Sequence, residues 1–489
     1  MNPVFTNQAR MIAGVARVDV TPPVGMYHRM WGAAVHDRST GIHRPLTATA
    51  LWMQPRDGAG ERTDSLLIVA LDHCILERRE MDALREAAGH AVGLPAAQVH
   101  ICLSHTHGAG FMSRSRADLP GGDKIGPYLD GVVRQVAEAS TAAAASAKPA
   151  TLACGVGRCS LARHRDGYDD ASQQYVCGFH DGGVADDTLV IGRLTEDRSD
   201  VGGPEPIMAV IVNYACHPTT LAWQNTLVSP DFVGALREVV EQACTGAPCV
   251  FLQGASGDLG PRDGFVGDTA VADRNGRQLA YAALATLAEI PPAGTKFVYR
   301  GPVVSGATLA TWEHAPLEPA ETRANELWRS TIGNVGLDYR DDLPTIDATR
   351  AELGRWKAVE EEARASGDED RLRDARARGE RMTRQLAKLS QLPAGEAFPY
   401  AFAAARTGGI LWVIAPGELY QLFQTELRKR FPQFTPFIAT IADDWQPGYL
   451  PTSATYGRGI YQEQIAVVAA GSLEKLIEQA IATLAGLVG

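Results

Sequence analysis

Long apolar runs are missing from this sequence. No stretch approaches the roughly 20 consecutive apolar residues that span a bilayer, and the start MNPVFTNQARMIAGVARVDVTPP lacks a basic segment followed by an apolar one. We therefore expect no stable membrane insertion and a cytoplasmic location. With 489 residues and 45% hydrophobic content, the chain can bury a large core without disulfides or metals.

The sequence has neither a basic patch nor a cysteine framework. The 46 Lys and Arg residues are outnumbered by 57 Asp and Glu residues, and the net charge of −11 would repel a phosphate backbone. Nucleic acid is therefore not an expected partner. The eight cysteines include no CxxC pair, and several of them, such as Cys102, Cys216 and Cys249, lie in apolar runs, which favours reduced core thiols.

Signatures of two common catalytic classes are also absent. No GxSxG nucleophile elbow is present, and the nearest segment, Gly254-Ala255-Ser256-Gly257-Asp258, has no second signature of a serine triad beside it. The stretch from Gly254 to Gly260 lacks the Lys and the Ser or Thr of a P-loop. Neither a serine hydrolase nor a phosphate-binding protein is favoured.

Short apolar runs alternate with longer helical stretches along the chain, a pattern typical of an α/β fold with a mixed sheet core covered by helices. The predicted strands are TATALWM, SLLIVALD, VHICLSH, MAVIVNYACH, PCVFLQG, GILWVIAPG and FIATIAD. Helices are predicted around residues 77–91, 124–145, 231–245, 269–288 and 464–486. Gly202-Gly203-Pro204 and Pro291-Pro292 mark loops, but no clear linker divides the chain, so we expect a single catalytic domain over residues 1–489.

Residues 345–390 differ in character from the rest of the chain. The segment is densely charged, and its apolar positions, among them Leu353, Trp356, Met382 and Leu386, follow helical spacings. The break at Ser366-Gly367-Asp368 predicts an inserted helical hairpin. Three roles remain open for this hairpin: a lid, a dimer arm or an inert decoration. A dimer arm would make the protein a homodimer.

Polar side chains follow most of the predicted strands. Because the carboxyl ends of strands in an open α/β sheet border a common crevice, we expect these side chains to converge. Histidine nitrogen and carboxylate oxygen are zinc ligands, and a catalytic zinc site holds about three of them with one position open. The residues in question are His105, His107, His217, Asp258, Glu418 and Tyr449.

Each of these residues also has a simpler explanation. His105 or His217 alone could be a core histidine, and Glu418 could be a carboxylate in the first turn of a helix. The HxH spacing merely places two side chains on one face of a strand. Their shared position after strands is what favours a metal site.

At these residues the sequence resembles the neutral/alkaline, non-lysosomal ceramidases, as a divergent bacterial-type member. The stretches that carry the resemblance run in order through almost the whole chain: GVARVDVTPPVG, GIHRPLTATA, LSHTHGAG, NYACHPTTL, SPDFVGALRE, GDLGP, APGEL and GYLPT. The resemblance implies a ceramidase-like catalytic domain and an amide-hydrolysing activity.

The resemblance also implies a set of zinc ligands. The metal-binding positions of that family carry over to His105, His217, Glu418 and Tyr449. The second histidine of the HxH motif, His107, would face the substrate as a hydrogen-bonding or proton-transfer group. An arginine near the family's active site aligns loosely with LARHRDG, which leaves Arg163 and Arg165 as alternatives for stabilising an oxyanion.

The sequence departs from the family pattern in two places. Gly260 of the GDLGP segment stands where the family has its active-site serine, and Ser256 does not occupy that position. The C-terminal immunoglobulin-like domain of true ceramidases is not expected, because the chain stops after the helix GSLEKLIEQAIATLAGL, while the charged hairpin is extra. Both departures favour a substrate smaller or more soluble than ceramide.

These observations predict a zinc-dependent hydrolase that cleaves an amide bond of a small acyl-amide. Zinc lowers the pKa of bound water toward about 7 and polarises a carbonyl, so the mechanism needs no serine. His107, with Asp258 nearby, would manage protons, and an arginine or Tyr449 would stabilise the oxyanion. An esterase or lactonase, an acyl-transfer enzyme and a non-catalytic metal- or ligand-binding protein are the alternatives.

Overall fold

A computed structural model describes residues 1–56, 65–197 and 206–489, and the predicted loop Gly202-Gly203-Pro204 lies outside these residues. The strands are β1 (Gln8–Asp19), β2 (Gly41–Ile42), β3 (Thr47–Gln54), β4 (Leu66–Leu71), β5 (Val99–Leu103), β6 (Lys148–Arg158), β7 (Ala162–His164), β8 (Asp166–Asp169), β9 (Gln174–Cys177), β10 (Thr188–Glu196), β11 (Ile207–Tyr214), β12 (Leu227–Val228), β13 (Cys249–Gln253), β14 (Leu259–Pro261), β15 (Thr295–Ser305), β16 (Ala307–Pro316), β17 (Trp328–Asp338), β18 (Ala397–Thr407), β19 (Ile410–Ile414), β20 (Glu418–Leu419), β21 (Thr435–Ala439) and β22 (Tyr449–Leu450). The helices are α1 (Arg78–Val92), α2 (Ile125–Ala145), α3 (Phe232–Ala243), α4 (Thr269–Glu289), α5 (Pro319–Ala324), α6 (Ile346–Ser366), α7 (Glu369–Gln391), α8 (Leu422–Arg430), α9 (Tyr461–Ile465) and α10 (Ser472–Val488).

The largest element is an eight-stranded mixed sheet in the order β13-β11-β10-β6-β1-β3-β4-β5. Its inner strands pair antiparallel, whereas the pairs at the two edges, β4 with β5 and β11 with β13, are parallel. Helices α1 and α2 cover one half of the outer face, and α3 and α4 cover the other half. The predicted α/β class with a mixed sheet covered by helices is confirmed.

A second sheet, which the sequence did not predict as separate, packs on the inner face of the first. Its order is β17-β18-β19-β21, and β19 and β21 are parallel. Alternate side chains of β19 point to opposite sides, so that Trp412 packs between the sheets while Leu411 and Val413 pack under α8 and α10. The molecule therefore has four layers, helix, sheet, sheet and helix.

The segment that follows β21 links the two edge strands of the large sheet. Thr440 N donates to Gln253 O at 2.8 Å, beside the end of β13. Asp443 N donates to Ile101 O of β5 at 2.9 Å, and the Asp443 carboxylate accepts from His100 Nδ1 at 2.7 Å. The carboxyl ends of β5, β13 and β21 are thereby held together, although β5 and β13 lie at opposite edges in the strand order.

The predicted hairpin is present as α6 and α7. The hydroxyl of Thr345 accepts from Ala348 N to begin α6, and the Asp368 carboxylate accepts from Arg371 N to begin α7. Gly367 ends α6 in the left-handed conformation, at φ 72°. Helix α6 therefore ends, and helix α7 begins, at the break that the sequence predicts.

One helix prediction was too long. The stretch 464–486 is divided, because α9 ends at Ile465 and α10 begins only after Gly471, whose φ is 89°. A residue in the left-handed region interrupts a helix, and glycine adopts it at low cost. Pro291-Pro292, in contrast, lies as predicted in the loop between α4 and β15.

All eight cysteines are free thiols, and all except Cys177 are buried, as the sequence predicts. Within the described residues, no helix is both long enough and apolar enough to cross a bilayer.

Candidate metal centre

Two histidines meet at the centre of the molecule. His105 follows β5 and His217 follows β11, and each side chain is 1% exposed. Their Nε2 atoms lie 2.9 Å apart. Two strands that are not neighbours in the sheet therefore bring two imidazole rings into contact, as the position of both residues after strands predicts.

The other ring nitrogen of each histidine faces a backbone carbonyl. His105 Nδ1 lies 2.8 Å from Cys74 O, and His217 Nδ1 lies 3.1 Å from Ser256 O. A carbonyl only accepts, so each Nδ1 carries a proton. Although burial by itself would lower the pKa of His105, Cys74 and Glu418 raise it well above its usual range, so this ring is charged and its Nε2–H donates to His217 Nε2. Burial, followed by the charges of Arg165 and His105, holds the pKa of His217 well below its usual range, so that ring is neutral.

Glu418 completes a group of three possible ligands with the two histidines. Its Oε2 lies 3.4 Å from both Nε2 atoms. Although burial by itself would raise the pKa of Glu418, the neighbouring His105 and a hydrogen bond with Tyr449 lower it on balance, so the group is a carboxylate. The β20–β22 pairing sets Glu418 directly opposite Tyr449, whose ring stacks on that of His217 with centroids 6.4 Å apart.

The donor set fits a metal ion. Ligands 2.0–2.1 Å from a tetrahedral zinc lie roughly 3.3 Å from one another, close to the separation of Glu418 Oε2 from each Nε2. Among the described residues, this buried oxygen has no hydrogen-bond donor. A metal ion between these donors would take the place of the His105 Nε2 proton, because metal ligands bind in their deprotonated form. Tyr449, with its hydroxyl beside Glu418, is placed to be the fourth ligand that the sequence suggested.

His105 has an uncommon backbone conformation. Its φ is 64°, in the left-handed region, and its N–H donates to His73 O at 2.9 Å. Non-glycine residues reach this region at a cost of about 1–3 kcal/mol and concentrate at functional sites. The turn directs the imidazole of His105 away from the line of β5 and toward His217.

The structure separates the two candidate arginines. Arg165 is 3% exposed, and its Nη2 donates to Gly257 O at 2.6 Å and to the Tyr449 hydroxyl at 2.8 Å. Arg163 is half-buried in β7, opposite Gly260 of β14. Of the two, Arg165 is the one that contacts a predicted metal ligand, and its contacts are those of a group that positions Tyr449.

His107 lies beside the three donors on a single turn of 3₁₀ helix. Its ring centroid is 5.1 Å from that of His105 and 5.6 Å from that of His217, and Trp31 packs on it at 4.8 Å. Burial, with the charge of His105, lowers its pKa well below the usual range, so the ring is neutral. Cys74, His105 and His107 form a second group of possible ligands that shares His105 with the first.

Asp258 does not line the cavity beside the donors. Its two carboxylate oxygens accept from the backbone N and the side chain Nε2 of Gln421, each at 2.8 Å. His164 lies further away, at 3.8 Å. These contacts hold the start of α8 against the chain that follows β13, so the structure gives Asp258 a supporting place behind the site.

A cavity of about 400 Å³ opens at His105 and Glu418. His105, His107, Glu418 and Tyr449 contribute to its lining, together with apolar side chains such as Phe111 and Trp445. Helix α7 supplies a long part of the wall, from residue 377 to residue 391. Of the three roles left open for the hairpin, a cover over the site agrees with this position.

The wall formed by α7 carries charge that the sequence did not associate with the site. Glu380 accepts two hydrogen bonds from Arg116, both at 2.8 Å, and one from Arg384 at 2.6 Å. Lys388 is 8% exposed, and burial lowers its pKa to about 8, against the opposing effect of Glu418. Helical spacing alone could not show that these residues face a cavity, because charged helix positions are usually solvated.

Comparison with known proteins gives one kind of match. No family model and no curated protein matches the chain. Solved structures do match, among them the neutral ceramidase from Pseudomonas aeruginosa and a ceramidase complexed with C2, each at a TM-score of 0.62 and 13% sequence identity. The match covers 98% of this chain and 75% and 76% of those chains, respectively. The chain therefore has a neutral ceramidase-like fold.

Proposed function

We propose that this chain is a zinc-dependent hydrolase that cleaves the amide bond of a small acyl-amide substrate. The geometry of His105, His217 and Glu418 carries the proposal, because two buried histidines and a half-buried carboxylate meet, and His105 and Glu418 line a cavity of about 400 Å³. That volume lies within the range of small-molecule sites. The fold is shared with proteins whose name, ceramidase, denotes enzymes that hydrolyse an amide.

Zinc held by His105, His217, Glu418 and Tyr449 would supply a Lewis acid that polarises the substrate carbonyl and lowers the pKa of water toward about 7. His107 is a neutral imidazole on the cavity wall, so it can accept a proton from the attacking water and return it to the leaving amine. Arg165 holds the Tyr449 hydroxyl in place. Asp258 anchors Gln421, so in this proposal it supports the site and does not transfer protons.

The test is zinc content and turnover measured on the same samples of His105→Ala and Glu418→Gln. His90, at the exposed end of α1, provides the matched control His90→Ala. Wild type and the control should hold about one zinc per chain and hydrolyse N-acyl amides. Both site variants should lose zinc, and turnover should fall by roughly 100-fold or more, since changes behind a metal ligand alone cost 10–100-fold.

Each other outcome has a distinct meaning. A metal-free wild type that still hydrolyses the amides would contradict the proposal. Stoichiometric zinc with no turnover of amides or esters would favour a binding protein, and turnover of esters alone would favour an esterase or lactonase. The cytoplasmic location and the homodimer stay predictions from the sequence.

A further inference from the structure

A buried ammonium group lies on the α7 side of the cavity. Lys388 is 8% exposed, its Nζ donates to Ile465 O at 2.8 Å, and it lies 5.3 Å from the ring centroid of Trp445. An ammonium has three N–H donors, and burying a charge is costly unless it is paired. Lys388 is thus a cation whose hydrogen bonding is incomplete and whose charge is not neutralised by these neighbours.

Two carboxylates in the cavity wall, in contrast, are already paired with arginines. Glu380 is bound by both Arg116 and Arg384, and the Asp342 carboxylate accepts from Arg340 at 2.6 Å. Among the described residues, no carboxylate oxygen lies within 4.0 Å of the Lys388 ammonium in an ion pair. The α7 wall therefore presents excess positive charge, because Glu380 alone faces two arginines and Lys388 adds a third cation.

Lys388 is also close to the proposed metal ligands. Its Nζ lies 3.1 Å from where a Cβ on Gly448 would sit. Gly448 O accepts from Glu418 N at 2.8 Å, and the next residue in the chain is Tyr449. An anion bound by Lys388 would therefore lie beside Gly448, in the same cavity that Glu418 and Tyr449 line.

We propose that Lys388 binds a carboxylate on the substrate and so selects N-acyl amino acids, whose carboxylate stands next to the scissile amide. This inference rests on the proposed function and names its substrate class. A single ammonium balances the single charge of a carboxylate. The acyl chain would lie against apolar side chains of the same cavity, such as Ile75, Leu76 and Phe111.

The test compares two substrates that differ only at this group, with the zinc-loaded protein. N-hexanoylglycine carries the carboxylate, and N-hexanoylethanolamine carries a neutral hydroxymethyl group in its place. Lys388→Met removes the charge at similar volume, and Lys429→Met, on an exposed part of α8, is the control. In Lys388→Met, kcat/KM for N-hexanoylglycine should fall roughly 30- to 100-fold, while that for N-hexanoylethanolamine changes less than about threefold.

Two results would overturn the inference. One is a wild type that does not prefer N-hexanoylglycine, and the other is an equal loss on both substrates in Lys388→Met. If wild type cleaves neither compound, calorimetric measurement of the binding of the same two compounds tests the carboxylate site separately from the amide-hydrolase proposal. A preference for N-hexanoylglycine that disappears in Lys388→Met would then retain the carboxylate site while the amide-hydrolase proposal fails, and binding without such a preference would refute the site as well.

Discussion

At position 260, where the resemblance expects serine, the structure leaves room for a side chain. A Cβ there would have Arg165 Cδ and Thr219 Oγ1 as its nearest neighbours, both at 3.8 Å, which is ordinary van der Waals contact. Packing therefore does not require a glycine. We expect Gly260→Ser to change the free energy of unfolding by less than about 1 kcal/mol, measured in urea. Turnover should stay within a few-fold of wild type, because the proposed mechanism uses no serine.

Gly257 provides the contrast with Gly260. A Cβ on Gly257 would lie 2.7 Å from Glu418 O and 2.9 Å from Leu419 O, so the backbone of a proposed ligand would have to move. Gly257→Ala should therefore lose about 1–3 kcal/mol of stability and bind zinc more weakly.

For Gly260→Ser, a gain in rate of tenfold or more would contradict the prediction, because it would indicate that a serine at position 260 takes part in the reaction.

How much of the site could be predicted differs from residue to residue. His105, His217 and Glu418 could be identified because they follow strands, and Tyr449 could be identified through the resemblance. Arg163 and Arg165 could not be separated, since only the end of β7 and the approach of Tyr449 distinguish them. The partner of Asp258, Gln421, lies 163 residues away, and no local pattern indicates such a contact.

At the scale of elements, the strands that could be predicted are those buried on both faces. All five residues of β5, β13, β19 and β21 are buried, and each of these strands is mostly apolar. The missed strand β17 is mostly exposed, and β6 begins with lysine and proline. The antiparallel pairing of β1, β6 and β10 could not be predicted either, because it depends on distant partners rather than on local sequence.

Helix α7 is anchored to the body of the protein by a buried ion-pair group, and this predicts the effect of Glu380→Gln. The change removes the charge that Arg116 and Arg384 share, and breaking a buried pair costs about 3–5 kcal/mol. Because glutamine keeps one acceptor, we expect a loss of about 2–3 kcal/mol in urea unfolding. The KM should rise while zinc content is unchanged, since α7 forms the cavity wall and supplies no proposed metal ligand.

The control for this prediction is on the exposed side of the hairpin. Glu362 accepts from Arg371 at 2.8 Å, and its side chain is 64% exposed. Exposed pairs contribute little, so Glu362→Gln should cost less than about 1 kcal/mol and leave KM unaltered. An unchanged KM in both variants would mean that α7 does not form part of the substrate site.

At the scale of the whole molecule, buried groups make stability depend on pH in opposing directions. Burial lowers the pKa of His28 and of His73 to about 4 each. Between pH 6.5 and 4 the unfolded chain then binds more protons than the folded state. Stability therefore falls as the pH is lowered, by up to about 3 kcal/mol per histidine. Burial raises the pKa of Asp231 to about 6, so between pH 6 and 4 the folded state takes up the proton and stability rises by a similar amount.

The two effects can be separated by following unfolding free energy against pH in His73→Gln and Asp231→Asn. His73→Gln should make stability less sensitive to acid between pH 6.5 and 4, by up to about 1.4 kcal/mol per pH unit. Asp231→Asn should make stability fall more steeply between pH 6 and 4, whatever its cost at pH 7. The metal ligands titrate alike in all three proteins, so a difference in slope belongs to the substituted residue. Parallel curves would mean that neither group is held out of its usual pKa range by burial.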